Sequence, residues 1–179
     1  MKILLTCLLL FLKLSNPTNF EPEKMSPQET KLLNNINAYR KSKGLKTIQI
    51  SPNLNLVAQL HVKELLEAPP EGNCNMHSWT GKFGEKPCCY TSDHKEAACM
   101  WSKPSEFSSY KGNGYEIVAY NTASDVDWLT QWKGSPGHHA VIINLKNWKT
   151  IHWNAIGIAI REPYAVVWFG EEADAEKVN

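Results

Sequence analysis

Apolar residues in this chain fall first on a helical period and last on a strand period. Behind Ser26-Pro27-Gln28-Glu29, the residues Leu32, Leu33, Ile36 and Tyr39 recur at three- and four-residue steps, which predicts an amphipathic helix. Ser26 is placed to cap it, Pro27 suits the first helical position, and Glu29 closes a capping box. Gly44 marks its end, after Arg40, Lys41 and Lys43 at the carbonyl end. Ser51-Pro52 starts a second helix carrying Leu54, Val57, Ala58, His61 and Leu65 on one face, and Pro69-Pro70 stop it. Val126, Leu129 and Trp132 share a face in a third helical stretch, 125–132. Residues 115–120 read as a short strand or a turn leading into a helix. Residues 151–160 and 164–169 are β-rich, and Arg161-Glu162-Pro163 joins them, which predicts a hairpin. Helices first and an antiparallel pair last give an α+β domain rather than an alternating one.

Two stretches depart from this periodicity. Residues 71–114 are rich in Gly, Pro, Ser, Lys and Cys, and a loop of that length needs covalent order to belong to a compact domain. The run from Trp132 through Ser135-Pro136-Gly137-His138-His139 to Asn144 sets an aromatic anchor and a Pro-Gly turn ahead of an apolar segment. Such a turn holds a titratable imidazole at the edge of a cleft while Trp132 and the Val/Ile residues bury themselves.

Composition narrows the class. The 179 residues suit one domain, and 42% apolar residues with seven Trp can build a sizeable core. Nineteen basic against 18 acidic residues leave a net charge of +1, which gives no electrostatic case for nucleic acid. Met1-Lys2 precedes ten mostly apolar residues, Ile3 to Leu12. That run is too short to span a bilayer and suits a signal peptide over 1–19, although no small-residue cleavage motif stands behind it. Removing it leaves no stable membrane span and predicts a secreted protein. The acidic tail 171–179 is expected to fray. Without the leader, Cys74, Cys88, Cys89 and Cys99 remain, an even count that predicts two disulfides in an oxidising compartment. A bond between the adjacent Cys88 and Cys89 is strained, so each is expected to pair with Cys74 or Cys99. The competing reading, a zinc site from Cys74-x-x-His77 and Cys88-Cys89, has an unusual ligand spacing.

In their joint order these pieces resemble the CAP superfamily: cysteine-rich secretory, antigen 5 and pathogenesis-related 1 proteins, or SCP domains. The resemblance runs through the helix ending at Gly44, Ser51-Pro52 with Ala58-x-x-His61, then Met76-His77-Ser78 and Gly114-Tyr115-Glu116-Ile117. It continues through Trp132 to Asn144, similar to the Ser-Pro-Gly-His branch, and closes on Asn154-Ala155-Ile156-Gly157 and 164–169. It covers 26–170 with a Cys-containing insert at 73–113. It implies a three-layer α-β-α sandwich around a central antiparallel sheet, and a cleft lined by two histidines and two acidic residues. The histidines fall on His77 and His138 and the first acid on Glu116. The second acidic position falls on Ser135, so one carboxylate is missing. Ile117 replaces the family's usual Asn.

Two neutral imidazoles with Glu116 beside them could hold a divalent metal (Zn or Mg) on His77 and His138. Bound water there would be activated for attack on an ester or amide. The missing acid favours instead a non-enzymatic binding module, for which the resemblance implies a lipid, sterol or protein partner. The insert could alternatively serve as a scaffolding surface. A Ser135–His138 hydrolase lacks the G-x-S-x-G elbow. His61 is expected to be a satisfied core histidine, His94 solvated in the insert and His152 turned outward. Trp79 and Trp101 are the insert residues that could line a groove.

Overall fold

Both N-terminal helices form where their caps are written. The computed structural model describes residues 20–174. Helix α1 is Pro27–Ser42, where the Ser26 hydroxyl accepts from Glu29 N (3.2 Å) and a Glu29 oxygen accepts from Ser26 N (2.6 Å). Strand β1, Gln49–Ile50, leads into α2, Pro52–Glu67, whose cap Ser51 accepts from Leu54 N (2.9 Å). The insert carries two short helices that the sequence reading did not anticipate, α3 Ala97–Trp101 and α4 Lys103–Phe107. Strand β2, Gly114–Tyr120, is followed by α5, Trp128–Lys133.

The expected Pro-Gly turn is not a turn but the start of a helix. Ser135 sits in the N-cap position of α6, Pro136–Ile142, with Pro136 at the first position. Proline lacks the N–H that a first turn leaves orphaned, and its fixed φ is already helical. After α6 come a 3-10 turn, Lys146–Trp148, and the predicted hairpin, β3 Ala155–Arg161 and β4 Tyr164–Gly170. Residues 151–154 precede β3 rather than belonging to it.

The sheet order is β1-β3-β4-β2. Pairings β3–β4 and β4–β2 are antiparallel, as expected, while the two-residue β1 joins β3 in parallel. On one face Ile117, Ile156, Ile158, Val167 and Phe169 pack against α1, α5 and α6. On the other, Val118, Ala159, Val166 and Trp168 meet α2 and the insert. The result is the expected three-layer α-β-α arrangement. Among the described residues no helix is long and apolar enough to cross a membrane.

Polar side chains close the outer edge of β3, where β1 is too short to reach. Asn55 accepts from Ile158 N (3.1 Å) and Glu29 from Ile160 N (2.9 Å), so buried strand donors are paired by the helices packed over them. Arg40, buried without a carboxylate, donates to the carbonyls of Ile142 and Lys46 and to the Asn144 amide, pinning α1 to α6 (2.6–3.0 Å). Burial lowers its pKa to about 10. The tail does not fray where it is described. Tyr110 donates to Glu172 O (2.6 Å), and Asp174 accepts from Ser51 and Asn53 at the start of α2. The leader 1–19 and residues 175–179 lie outside the described residues.

Gly157 sets how closely α2 lies on the sheet: a Cβ there would stand 2.1 Å from Leu54 C and 2.4 Å from Asn55 N. Backbone atoms cannot rotate away. The substitution Gly157→Ala should therefore lift α2 and lose about 3 kcal/mol of stability, read by urea unfolding. A loss below about 1 kcal/mol would mean that this contact is not tight.

Candidate functional site

Three elements meet on one carboxylate. Glu116, buried on β2, sends one oxygen to His61 Nδ1 from α2 and the other to His77 Nδ1 from the insert (2.7 Å). The second ring nitrogen of His61 faces the carbonyl of Ser78 (3.1 Å). Both nitrogens of this fully buried imidazole thus face acceptors, and a ring satisfies two acceptors only when it carries both protons. Burial by itself would lower the His61 pKa, but the charge and hydrogen bond of Glu116, then Glu64 and the Ser78 carbonyl, raise it. Burial would raise Glu116, and the two imidazoles bring it below the usual carboxylate range. The pair is a buried imidazolium on an ionised carboxylate. The bond to Glu116 fixes the neutral His77 tautomer with the proton on Nδ1, which leaves Nε2 as an acceptor toward the cleft.

His138, from α6, completes the cluster across the free edge of β2. Its ring lies 6.1 Å from His77 by centroids, edge to face. Burial, then the neighbouring His77 imidazole, hold its pKa down to about 4, only partly offset by Glu116. It is neutral at physiological pH. Ser135 lines the same cavity, and its hydroxyl makes no capping bond to α6. The structure therefore brings together all four site residues read from the sequence: His77, Glu116, Ser135 and His138. His139 turns away to meet the Tyr39 hydroxyl (2.8 Å), and His152 is exposed as expected.

The cavity, about 620 Å³, crosses the edge of β2, since the neighbours Tyr115 and Glu116 point to opposite faces and both line it. One wall is α6 with the 3-10 turn at Trp148. The other is the insert, through Tyr90, His94, Met100 and Trp101. Disulfides Cys74–Cys89 and Cys88–Cys99 hold that wall, in the pairing expected of adjacent cysteines. With all four sulfurs bonded, the zinc set of Cys74, His77, Cys88 and Cys89 does not exist. Lys103, fully buried, donates to Glu106 (2.9 Å) and to the Lys86 carbonyl, tying α4 to the same segment.

Three residues do more than their sequence readings gave them. His61 is a core histidine, but one whose partner is the site carboxylate. The signal was a polar residue on an otherwise apolar helix face, which spacing alone could not connect to Glu116. His94 is exposed, yet it bonds the Tyr90 hydroxyl (2.8 Å) at the cleft rim. Trp79 is core, stacked on His61 at 4.2 Å, and only Trp101 faces the groove.

As a metal centre the cleft is short of donors. Both Glu116 oxygens carry imidazole bonds, leaving His77 Nε2 and His138 as free nitrogen ligands. Among the described residues no three His, Cys, Asp or Glu groups make a metal-holding set. The two free nitrogens are fewer than the three or four protein ligands that a resident divalent ion usually takes.

The His61–Glu116 pair makes stability pH-dependent in two directions. The raised His61 contributes below its unfolded pKa of about 6.5 and loses that contribution as pH rises through the folded value. The lowered Glu116 contributes above about 4.3 and loses its share as pH falls through its folded value. Unfolding at pH 3–9 should show a stability maximum between roughly pH 4.5 and 6.5 from this pair. His61→Phe keeps the stack on Trp79 but strands the carboxylate, and should cost roughly 3–5 kcal/mol while removing the alkaline limb. An unchanged pH profile in that variant would refute the buried imidazolium.

Comparison with known proteins places the chain. A model of the cysteine-rich secretory protein family, CAP, matches residues 33–155, a span that holds His61, His77, Glu116, Ser135 and His138. Among curated proteins there is no significant match. The fold is similar to an outer surface protein from Borrelia burgdorferi, with 19% identity and a TM-score of 0.55, covering 85% of this chain and 98% of that one. It is also similar to a cysteine-rich secretory protein from Staphylococcus aureus (24%, TM-score 0.51, 84% of this chain). An extracellular SCP-domain protein from Bacillus anthracis is a third (12%, TM-score 0.54, 84%). The chain spans 40% and 45% of the latter two. At these identities the structures speak for the fold, while the match over 33–155 shows that the chain belongs to the CAP family.

Proposed function

We propose that this chain is an extracellular binding module whose cleft between α6 and the insert takes a ligand without chemical turnover. The observation that carries the reading is the commitment of Glu116. Among the described residues it is the only carboxylate lining the cavity, and both of its oxygens are held by imidazoles. Glu116 therefore has no free oxygen with which to act as a general base, and a serine nucleophile needs its base hydrogen-bonded to it. Ser135 and His138 make no such bond among the described residues, and the remaining donors, two imidazole nitrogens, are few for a resident metal.

The extracellular part of the reading is supported by the two disulfides, which persist in oxidising compartments, and by the surface and extracellular proteins of similar fold. Membership of the CAP family points toward a sterol, another lipid or a protein as partner, with the insert wall available to a protein.

The test is ligand extraction and mass spectrometry on disulfide-intact protein, with metal analysis and assays on peptide and ester substrates alongside. A bound or saturably binding ligand with no turnover is the expected result. Turnover that a chelator stops, and that His77→Ala and His138→Ala each reduce by a hundredfold or more, would replace this reading with a metal-dependent hydrolase.

A further inference from the structure

Resting on the cleft as a ligand site, we propose that its occupant is a neutral saccharide, seated on Trp101, Tyr115 and Trp148. These three half-buried rings lie along the cavity, with Tyr115 in the middle, 5.3 Å from Trp101 and 5.0 Å from Trp148. The planes are tilted by 59° and 72°, so the rings form a trough and not a closed stack. Aromatic faces of this kind pack against apolar C–H surfaces while leaving polar edges wet.

Other groups lining the same cavity are polar and unpaired. Among the described residues His77 Nε2, both nitrogens of His138 and the Ser135 hydroxyl have no protein partner, and all three side chains line the cavity. His77 Nε2 is an acceptor, His138 offers one donor and one acceptor, and Ser135 offers both. A wholly apolar ligand would leave these groups dry and unsatisfied, which disfavours it. An amphiphile with a single hydroxyl pairs one or two of them. A sugar ring presents several hydroxyls, each both donor and acceptor, around an apolar C–H face, and so matches both the aromatic and the polar lining of the cleft.

Charge points the same way. The floor is balanced, with the Glu116 carboxylate offset by the His61 imidazolium, and His138 is neutral. The exposed Lys146 at the rim disfavours a cationic ligand, and nothing in the floor selects an anion. The volume of about 620 Å³ lies within the range of small-molecule sites.

The experiment titrates disulfide-intact protein with chitotriose, cellotriose and maltotriose by calorimetry, with a fluorescent sterol in parallel. At least one trisaccharide should bind saturably below about 1 mM. Trp101→Ala and Trp148→Ala should each weaken it about tenfold, and Ser135→Ala and the exposed Asn147→Ala about threefold, with unchanged thermal melts for the last two. Saccharide binding that none of the four variants alters would place it outside the cleft and overturn the proposal. Sterol binding with no saccharide binding would overturn the ligand class and leave the binding-module reading standing. No binding of any of these probes, and no extracted ligand, would sink both.

Discussion

The contact between Glu116 and its two imidazoles is the constraint on which the site depends. It buries a carboxylate on β2, and an ion cannot be left in that position unpaired. Helix α2 supplies the compensating imidazolium, and the insert supplies a second N–H through His77. One group thereby joins the sheet, the helical layer beneath it and a segment that packs little apolar surface of its own. The orientation of His77 follows from that bond: with Nδ1 held by Glu116, its other nitrogen is what the cleft receives.

The insert needs further restraint because 73–113 has few long elements to bury. Closing loops of 15 and 11 residues with disulfides removes conformational freedom from the unfolded chain, worth about 3 kcal/mol for the longer one on a chain-entropy basis. The Trp79–Cys88 bridge pair and buried Lys103 add hydrogen bonds inside the same segment. An irregular stretch becomes a wall, and this is what sets Trp101 and Tyr90 opposite α6. The same restraint keeps Ser78 in place to accept from His61, so the insert and the buried pair stabilise each other.

Much of this was legible from residue pattern. The helices after Ser26-Pro27 and Ser51-Pro52, and the final hairpin, follow from caps and periodicity that act within a few residues. Ser135-Pro136 carries the same two-residue helix start, but Gly137 and two histidines behind it read as a turn, because no apolar period is visible until Ala140. Packing of Val141 and Ile142 on the sheet decides for the helix. His61 and Glu116 stand 55 residues apart and meet only through the layering of α2 on β2. No local rule links them. The family resemblance located His77, Glu116, Ser135 and His138, because a motif order stores the three-dimensional arrangement that spacing alone does not. The walls of the cleft were illegible, since disulfide pairing decides which insert residues face it.

Ser135 shows how one substitution in the family pattern changes the chemistry of a whole cleft. The resemblance implies a carboxylate at that position, next to His138. An anion there would favour the imidazolium and raise the His138 pKa. The histidine would then be charged or half-charged near neutral pH, and the cleft would hold two acids and two bases able to exchange protons. With a serine, burial and the neighbouring His77 prevail, and His138 stays neutral down to about pH 4. The surviving acid is locked beneath His77 by His61. What remains open in the cavity is a set of uncharged donors and acceptors, on Ser135, His77 and His138, together with aromatic rings, the arrangement that the proposed neutral ligand matches.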